Sequence, residues 1–310
     1  MNAVTFLLVY AVALSWLAPA VLTSPMLADV HPRLSMSGWL VAVASALFAW
    51  SAALVILVVG AVHSLATHTA LTFCVETLGI TDAVHLSSTV ATVLVVVLLT
   101  LTAGVALYTA RRVIVALLKT RRSNCQHAEA VRIVGRPTED ADVVVITADQ
   151  PTAYCVSSGR RNAIVLTTGA LDLLNPAQLA AVLAHERAHL RGRHHHIVAT
   201  LNALSAALPR LPLMRAAARS VPALLEMCAD DASTRSYGRA PLLASLVALS
   251  TRHRLPDGAL AVAGTAVMDR ALRLMQPPRT TFWHPQALAM SVVVLVTLTA
   301  PGLAFMLCTL

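Results

Sequence analysis

Charge is scarce in this chain: Asp, Glu, Lys and Arg make up 12% of its 310 residues, and lysine occurs once, at position 119. So few charges cannot cover the surface of an ordinary soluble protein. With 57% apolar residues and a mean hydropathy of +0.72, the composition points to lipid instead. Aromatic residues are rare too, at 4%, and the basic residues are scattered without aromatic interleaving, so direct nucleic-acid binding is not expected despite a net charge of +8. The cysteines, Cys74, Cys125, Cys155, Cys228 and Cys308, form no Cys-x-x-Cys pair, which argues against a redox or zinc site built on thiols. Cys228 reads as a packed apolar residue. No internal repeat or low-complexity tract is present.

Long apolar sequence is what the chain has in abundance. Four uncharged stretches, at about 3–23, 39–62, 87–110 and 286–308, are each long enough to cross ~30 Å of hydrocarbon. Ala18-Pro19-Ala20 has the small residues of a leader-cleavage site, but residues 1–5 carry no positive charge, so the first stretch is expected to stay as a span. Twenty-two of the 23 basic residues fall between Arg111 and Arg279, and the remaining one, Arg33, sits in the first loop. By the positive-inside rule, 24–38 and 111–285 are cytoplasmic and both termini lie outside. Arg111, Arg112, Lys119, Arg121 and Arg122 follow the third span directly, where they can pair with anionic headgroups. The expected order is three spans in 1–110, a cytoplasmic domain in 111–285 and a fourth span in 286–310. About 175 residues suffice for one globular core.

Within that domain stands His185-Glu186-Arg187-Ala188-His189. Residues four apart share a helix face, so the two imidazoles can converge on one ion, while Glu186, one step round, can take a proton from a water beside it. Asn175 as cap, Pro176 at the first position, Gln178 three past the cap and Gly192 as a stop predict a helix of about sixteen residues. A catalytic zinc needs a third protein ligand. Glu226 is the best candidate, on a second helical run in which Ser220 is read as the cap, Pro222 as the opening residue and Gly238 as the stop. Asp230, four residues on, shares the face of Glu226 and can accept the far N–H of a ligating histidine.

Three short β-branched runs, Val143 to Ile146, Ala153 to Val156 and Ala163 to Leu166, predict a small sheet, with Ser158-Gly-Arg-Arg-Asn162 as a hairpin connection. Helical patterns recur at about 241–253 and 263–275. Consecutive helical residues diverge by about 100°, so His194-His195-His196 cannot close on a single ion, and His194 is the one expected to face the cleft. His194, Tyr237 and Arg273 are the candidates for a group that stabilises an oxyanion, with none of them singled out.

Several blocks, Ala163-Ile-Val-Leu-Thr-Thr-Gly169, Ala181-Val-Leu-Ala-His-Glu-Arg-Ala-His189 and Glu226-x-x-Ala-Asp230, resemble the HExxH metallopeptidases whose third ligand is a glutamate on a following helix in a Glu-x-x-x-Asp setting. The resemblance implies a mostly helical α+β zincin-like domain. It implies one zinc ion held by His185, His189 and Glu226, with Glu186 as general base and Asp230 behind a ligand. It also implies a substrate aligned as an added strand on a sheet edge, for which Ala163, Ile164, Val165, Leu166 and Thr167 are the candidate strand. Heat-shock proteases of the HtpX type place two spans between the histidine and glutamate helices. Here 37 positions, interrupted by Pro209, Arg210, Pro212 and Arg215, leave no room for two crossings.

Three spans, a cytoplasmic peptidase domain and a last span look more like the antirepressor membrane metallopeptidases of the BlaR/MecR type. Those carry a penicillin-binding sensor after the final span, which is expected to be absent here because Leu310 follows that span directly. That resemblance implies a multi-pass protein of a bacterial cell membrane whose substrate is a cytoplasmic DNA-binding repressor, BlaI-like. A quality-control protease of the HtpX class and a non-catalytic zinc-binding scaffold stand as alternatives. A transporter is disfavoured because no span holds an ionisable residue.

Overall fold

A computed structural model describes residues 3–27, 30–69, 87–157, 162–251 and 260–276, with scattered positions between 288 and 299. The expected fourth span at 286–308, most of the 63–86 loop with His85, and nearly all of the 158–162 connection lie outside the described residues. The chain divides into two compact units: residues 1–115 with 201–218 and 283–310, and residues 116–200 with 219–282.

The first unit is built on long apolar helices. Helix α1 spans Ala3–Leu22, α2 spans Pro32–Ala66, and α3, Ser88–Val134, begins in this unit. All three are long and apolar enough to cross a membrane, which makes this a membrane protein by length and composition. At 1.5 Å per residue the 47 residues of α3 extend for about 70 Å, more than twice a ~30 Å hydrocarbon core. The expected span at 87–110 forms its first half; no proline or glycine interrupts residues 111–134, and the arginine-bearing stretch continues as helix up to Gly135. Leu7 and Ala11 of α1 meet Ala49 and Ala53 of α2, small residues that let the backbones approach closely. Ala61 of α2 packs on Ala91 and Val95 of α3. Facing outward are Val59, Leu101, Val105 and Leu107, each more than 60% exposed, as a lipid-facing surface requires.

The second unit holds a four-stranded sheet ordered β1-β2-β4-β3, with β1 at Arg136–Pro137, β2 at Val143–Ile146, β3 at Ala153–Val156 and β4 at Ala163–Thr167. Strand β4 pairs parallel with β2, Val144 opposite Val165, and antiparallel with β3, Tyr154 opposite Val165. The expectation that Ala163 to Thr167 forms a free edge is therefore wrong: β4 is central, and all five of its residues are buried. Ala128 and Val131 of α3 cover one face, packing on Val144, Val156, Ala163 and Val165. Leu179, Leu183 and Leu190 cover the other, against Val143, Ile164 and Leu166. A strand covered on both faces needs an unbroken apolar run, which is what Ala-Ile-Val-Leu supplies. The edges are β1 and β3, and the Ala-Tyr-Cys-Val of β3 is only half-buried for most of its length.

Thr167 caps a short helix α4, Thr168–Leu173, where a side chain at Gly169 would collide with the carbonyl of Asp149. Helix α5, Pro176–Arg191, begins with the full reciprocal cap: Gln178 N–H donates to Asn175 Oδ1 at 2.9 Å and Asn175 N–H to Gln178 Oε1 at 3.0 Å. Arg187 ties its outer face to the turn before β2, with Nε and Nη2 on Asp142 at 2.8 and 2.9 Å and Nη2 on Asp140 at 2.9 Å. Helix α6 spans His194–Ala207 and α7 spans Pro212–Tyr237. Ser220 and Pro222 do not open α7, as the sequence suggested. The Leu-Met-Arg-Ala-Ala-Ala run after Pro212 is strongly helix-forming, and Pro222 lies inside the helix at the expense of one backbone hydrogen bond. Gly238 does stop it, at a φ of +79° that favours glycine. Helices α8, Arg239–Thr251, and α9, Leu260–Met275, fall close to their expected places. Ala181, Leu242 and Leu274 bring α5, α8 and α9 into one core, and Ser233 Oγ donates to the Ala181 carbonyl at 2.7 Å, fixing α7 against α5.

Candidate active site

His185 and His189 sit one turn apart on α5, and Glu226 comes from α7. The two Nε2 atoms are 3.1 Å apart, His185 Nε2 is 3.4 Å from Glu226 Oε2, and His189 Nε2 is 3.4 Å from Glu226 Oε1. Donors at ~2.0–2.1 Å from a tetrahedral zinc are separated by edges of about 3.3–3.4 Å, so this triangle has the dimensions of three faces of one ion. Two imidazoles and a carboxylate are also the donor chemistry zinc takes, and the residues present fit the metal. Among the described residues these three form the metal-capable group.

Behind the triangle lies a second layer. Asp230, 1% exposed, places Oδ1 3.0 Å from His185 Nδ1, at ion-pair distance though off the line of a well-aligned hydrogen bond. Arg270 from α9 grips the same carboxylate with Nε to Oδ2 at 2.9 Å and Nη2 to Oδ1 at 2.7 Å, and reaches Glu226 Oε2 with Nη1 at 3.0 Å. His194 Nδ1 stands 2.9 Å from His189 Nδ1. A side chain at Gly192 would meet the His194 ring, so the glycine gives that ring its place.

The electrostatics ask for a cation at the centre. Burial works against charge on Glu226 and Asp230, yet His185 and its partners hold both well below the usual carboxylate range. Burial would likewise depress the His185 imidazole, but Asp230 and Glu226 lift it to about 9, so protons stand where a positive ion would serve. Burial pushes His194 down to about 4, which keeps it neutral beside His189. Glu186 differs from its neighbours: burial raises its pKa, partly offset by His185 and His189.

All of this opens on a cavity of about 400 Å³, lined by His185, Glu186, His189, Glu226 and Arg270, by Ala153, Tyr154 and Cys155 of β3, and by an apolar wall from α5 and α8. Of the groups named from sequence as oxyanion candidates, none lines it. Tyr237 is 46% exposed at the end of α7, and Arg273 is held by Asp231 at 2.8 Å and the Met227 carbonyl. The arginine that does enter is Arg270, one helical turn earlier. Cys155 is the other residue missed from sequence. Burial, together with the charge of Glu186 beside it, pushes its thiol up to about 12. Cys228 is buried, in line with its reading as a packed residue.

The arrangement this geometry defines is an HExxH helix whose two histidines meet a glutamate from a following helix in a group that could hold one metal ion. Consistent with it, residues 117–246 match Peptidase family M48, which supports an M48 metallopeptidase domain where the site lies. The chain is 36% identical to Protease HtpX homolog 2 of Methanosarcina mazei over 64 residues, 20% of this chain and 22% of that protein. It is 42% identical to the Protease HtpX homolog of Salinibacter ruber and 46% identical to that of Acidiphilium cryptum. Each of these matches runs over 52 residues, 16% of this chain and 19% and 18% of those proteins respectively. The matches thus span about a fifth of the length of these relatives. No solved structure matches the chain. All three of these relatives are HtpX homologues.

Proposed function

We propose that this chain is a membrane-anchored zinc endopeptidase whose catalytic domain faces the cytoplasm. One observation carries the reading: the metal-sized triangle of His185, His189 and Glu226 shares a cavity with the buried carboxyl of Glu186. His185, His189 and Glu226 would hold a zinc ion that would supply Lewis acidity at the scissile carbonyl and lower the pKa of water there towards ~7. Glu186 accepts the proton of that water as its oxygen adds to the carbonyl carbon, and delivers it to the leaving nitrogen as the C–N bond breaks. Burial raises its pKa, the direction that favours a carboxyl which takes up a proton and passes it on. Asp230 and Arg270 fix the tautomer and direction of His185, and β3 offers the free strand edge along which an extended substrate can be added.

The test of enzymatic activity is direct. Purified full-length protein should contain about one zinc per chain by elemental analysis and cut an unfolded protein such as casein, whereas Glu186→Gln should keep its zinc and cut nothing. An inactive zinc-loaded wild type would leave the scaffold reading.

The substrate we infer is a cytoplasmic protein. Sequence organisation favours the antirepressor reading, in which a DNA-binding repressor is cut, because the 36 residues between His189 and Glu226 have no room for a pair of spans. The similarity to HtpX homologues favours a second reading, quality control of membrane proteins. Comparative proteomics of wild-type and Glu186→Gln cells separates them. Loss of one repressor fragment supports the first, and accumulation of many damaged membrane proteins supports the second.

A further inference from the structure

We propose that the leucine face of α8 makes the peptidase selective for an uncharged, apolar side chain next to the bond it cuts; this rests on the peptidase reading above and names the substrate class of that site. Leu242, Leu246 and Leu249 recur at spacings of four and three, which places them on one side of the helix, and all three line the cavity together with Val182 of α5. The opposite side of α8 is different: Val247 is 47% exposed. Val182 lies three and four residues before His185 and Glu186, so the wall begins one helical turn from the reacting groups.

Away from Glu186 and Cys155 at the reacting end, the polar side chains that border this wall are already engaged. Ser245 is 1% exposed and donates its hydroxyl hydrogen to the Leu242 carbonyl at 2.8 Å, so it has no donor left for the cavity. Tyr154 has its hydroxyl 3.1 Å from His127 Nε2. The guanidinium of Arg270 is committed to Asp230 and Glu226 through Nε, Nη1 and Nη2. A charged or amide side chain entering here would lose water without finding a partner, whereas an aliphatic one would exchange water for leucine. A void of about 400 Å³ has room for such a side chain beside the peptide that carries it. One methylene in an apolar pocket changes selectivity by roughly 10- to 200-fold, so leucine should be preferred to alanine by at least about tenfold.

The test uses purified full-length protein in detergent, loaded with zinc, and a peptide library whose cleavage sites are mapped by mass spectrometry. Leu, Ile, Val, Met or Phe should dominate one of the two positions flanking the cut, and Asp, Glu, Lys and Arg should be depleted there. Leu249→Arg should reduce cleavage beside leucine at least about tenfold and raise cleavage beside Asp or Glu, with zinc content unchanged. Leu246→Ala, a milder change that keeps the protein folded should the first not, should extend the preference to larger aromatic side chains. Cutting with no preference at either position, or with a preference unmoved by both variants, overturns the specificity and leaves the peptidase standing. A zinc-loaded wild type that cuts nothing overturns both.

Discussion

Asp230 is closed in behind His185, its Oδ1 3.0 Å from the imidazole Nδ1 and the residue 1% exposed. Burial works against charge on this carboxylate, but the hydrogen-bonding partners on either side, His185 and the Arg270 fork, hold its pKa below the usual range. The pair shows how a helix that brings one ligand, Glu226, also brings the group that orients another.

Removing the Glu186 carboxylate should separate chemistry from metal binding. Glu186→Gln is expected to retain zinc and to lose about 10²- to 10⁴-fold in turnover. A variant that keeps full activity would take the proton-transfer role away from Glu186.

Arg270 should act on the metal through its neighbours. Arg270→Gln leaves Asp230 short of two donors and Glu226 short of one, and zinc affinity is expected to fall about 10- to 100-fold in a chelator competition. Arg270→Lys restores charge without the fork and should recover only part of the loss.

The Arg187 clamp gives an acid-side signature. Its hydrogen bonds lower the Asp142 pKa below the ordinary 3.8. A lowered carboxyl adds stability above its unfolded pKa and loses it as pH falls through the folded value, so the contribution is present at pH 5 and gone well below pH 3.8. Both partners are partly exposed, which limits the effect to about 1 kcal/mol or less. Urea midpoints of wild type and Arg187→Ala should differ at pH 6 and converge in acid.

Cys155 should resist alkylation while the domain is folded. With its thiol pushed up to about 12, little thiolate exists at pH 8, and iodoacetamide should label it much faster in urea than in the native protein. Glu186→Gln removes the neighbouring negative charge and should speed native labelling.

Ile164 lies at the centre of the sheet with 0% exposure. Ile164→Ala should cost about 2–5 kcal/mol in unfolding free energy. A loss below 1 kcal/mol would contradict the packing described for β4.

The site could be read from sequence to the extent that its geometry is local. His185 with His189 and Glu226 with Asp230 each depend on a four-residue step along one helix, and the Asn175 cap marked where α5 begins. Arg270 and Cys155 arrive from 40 residues after Asp230 and 31 before Glu186, and nothing in their own neighbourhoods announces a tertiary contact. Arg273 is among the sequence candidates and Arg270, one turn away, is not, because sequence alone does not fix the rotation of α9. The expectation of Ala163 to Thr167 as the edge strand fails for a related reason. Ala-Ile-Val-Leu, apolar at every step, is the pattern of an interior strand, and the mixed Ala-Tyr-Cys-Val beside it belonged on the rim.

Strand β4 is hydrogen-bonded along both sides and roofed on both faces, so solvent reaches its amides only when the whole domain opens. In deuterium these protons should be the last to be replaced. The histidine-bearing rod seated on that slab inherits its stillness, a fixed anvil against which a substrate is laid.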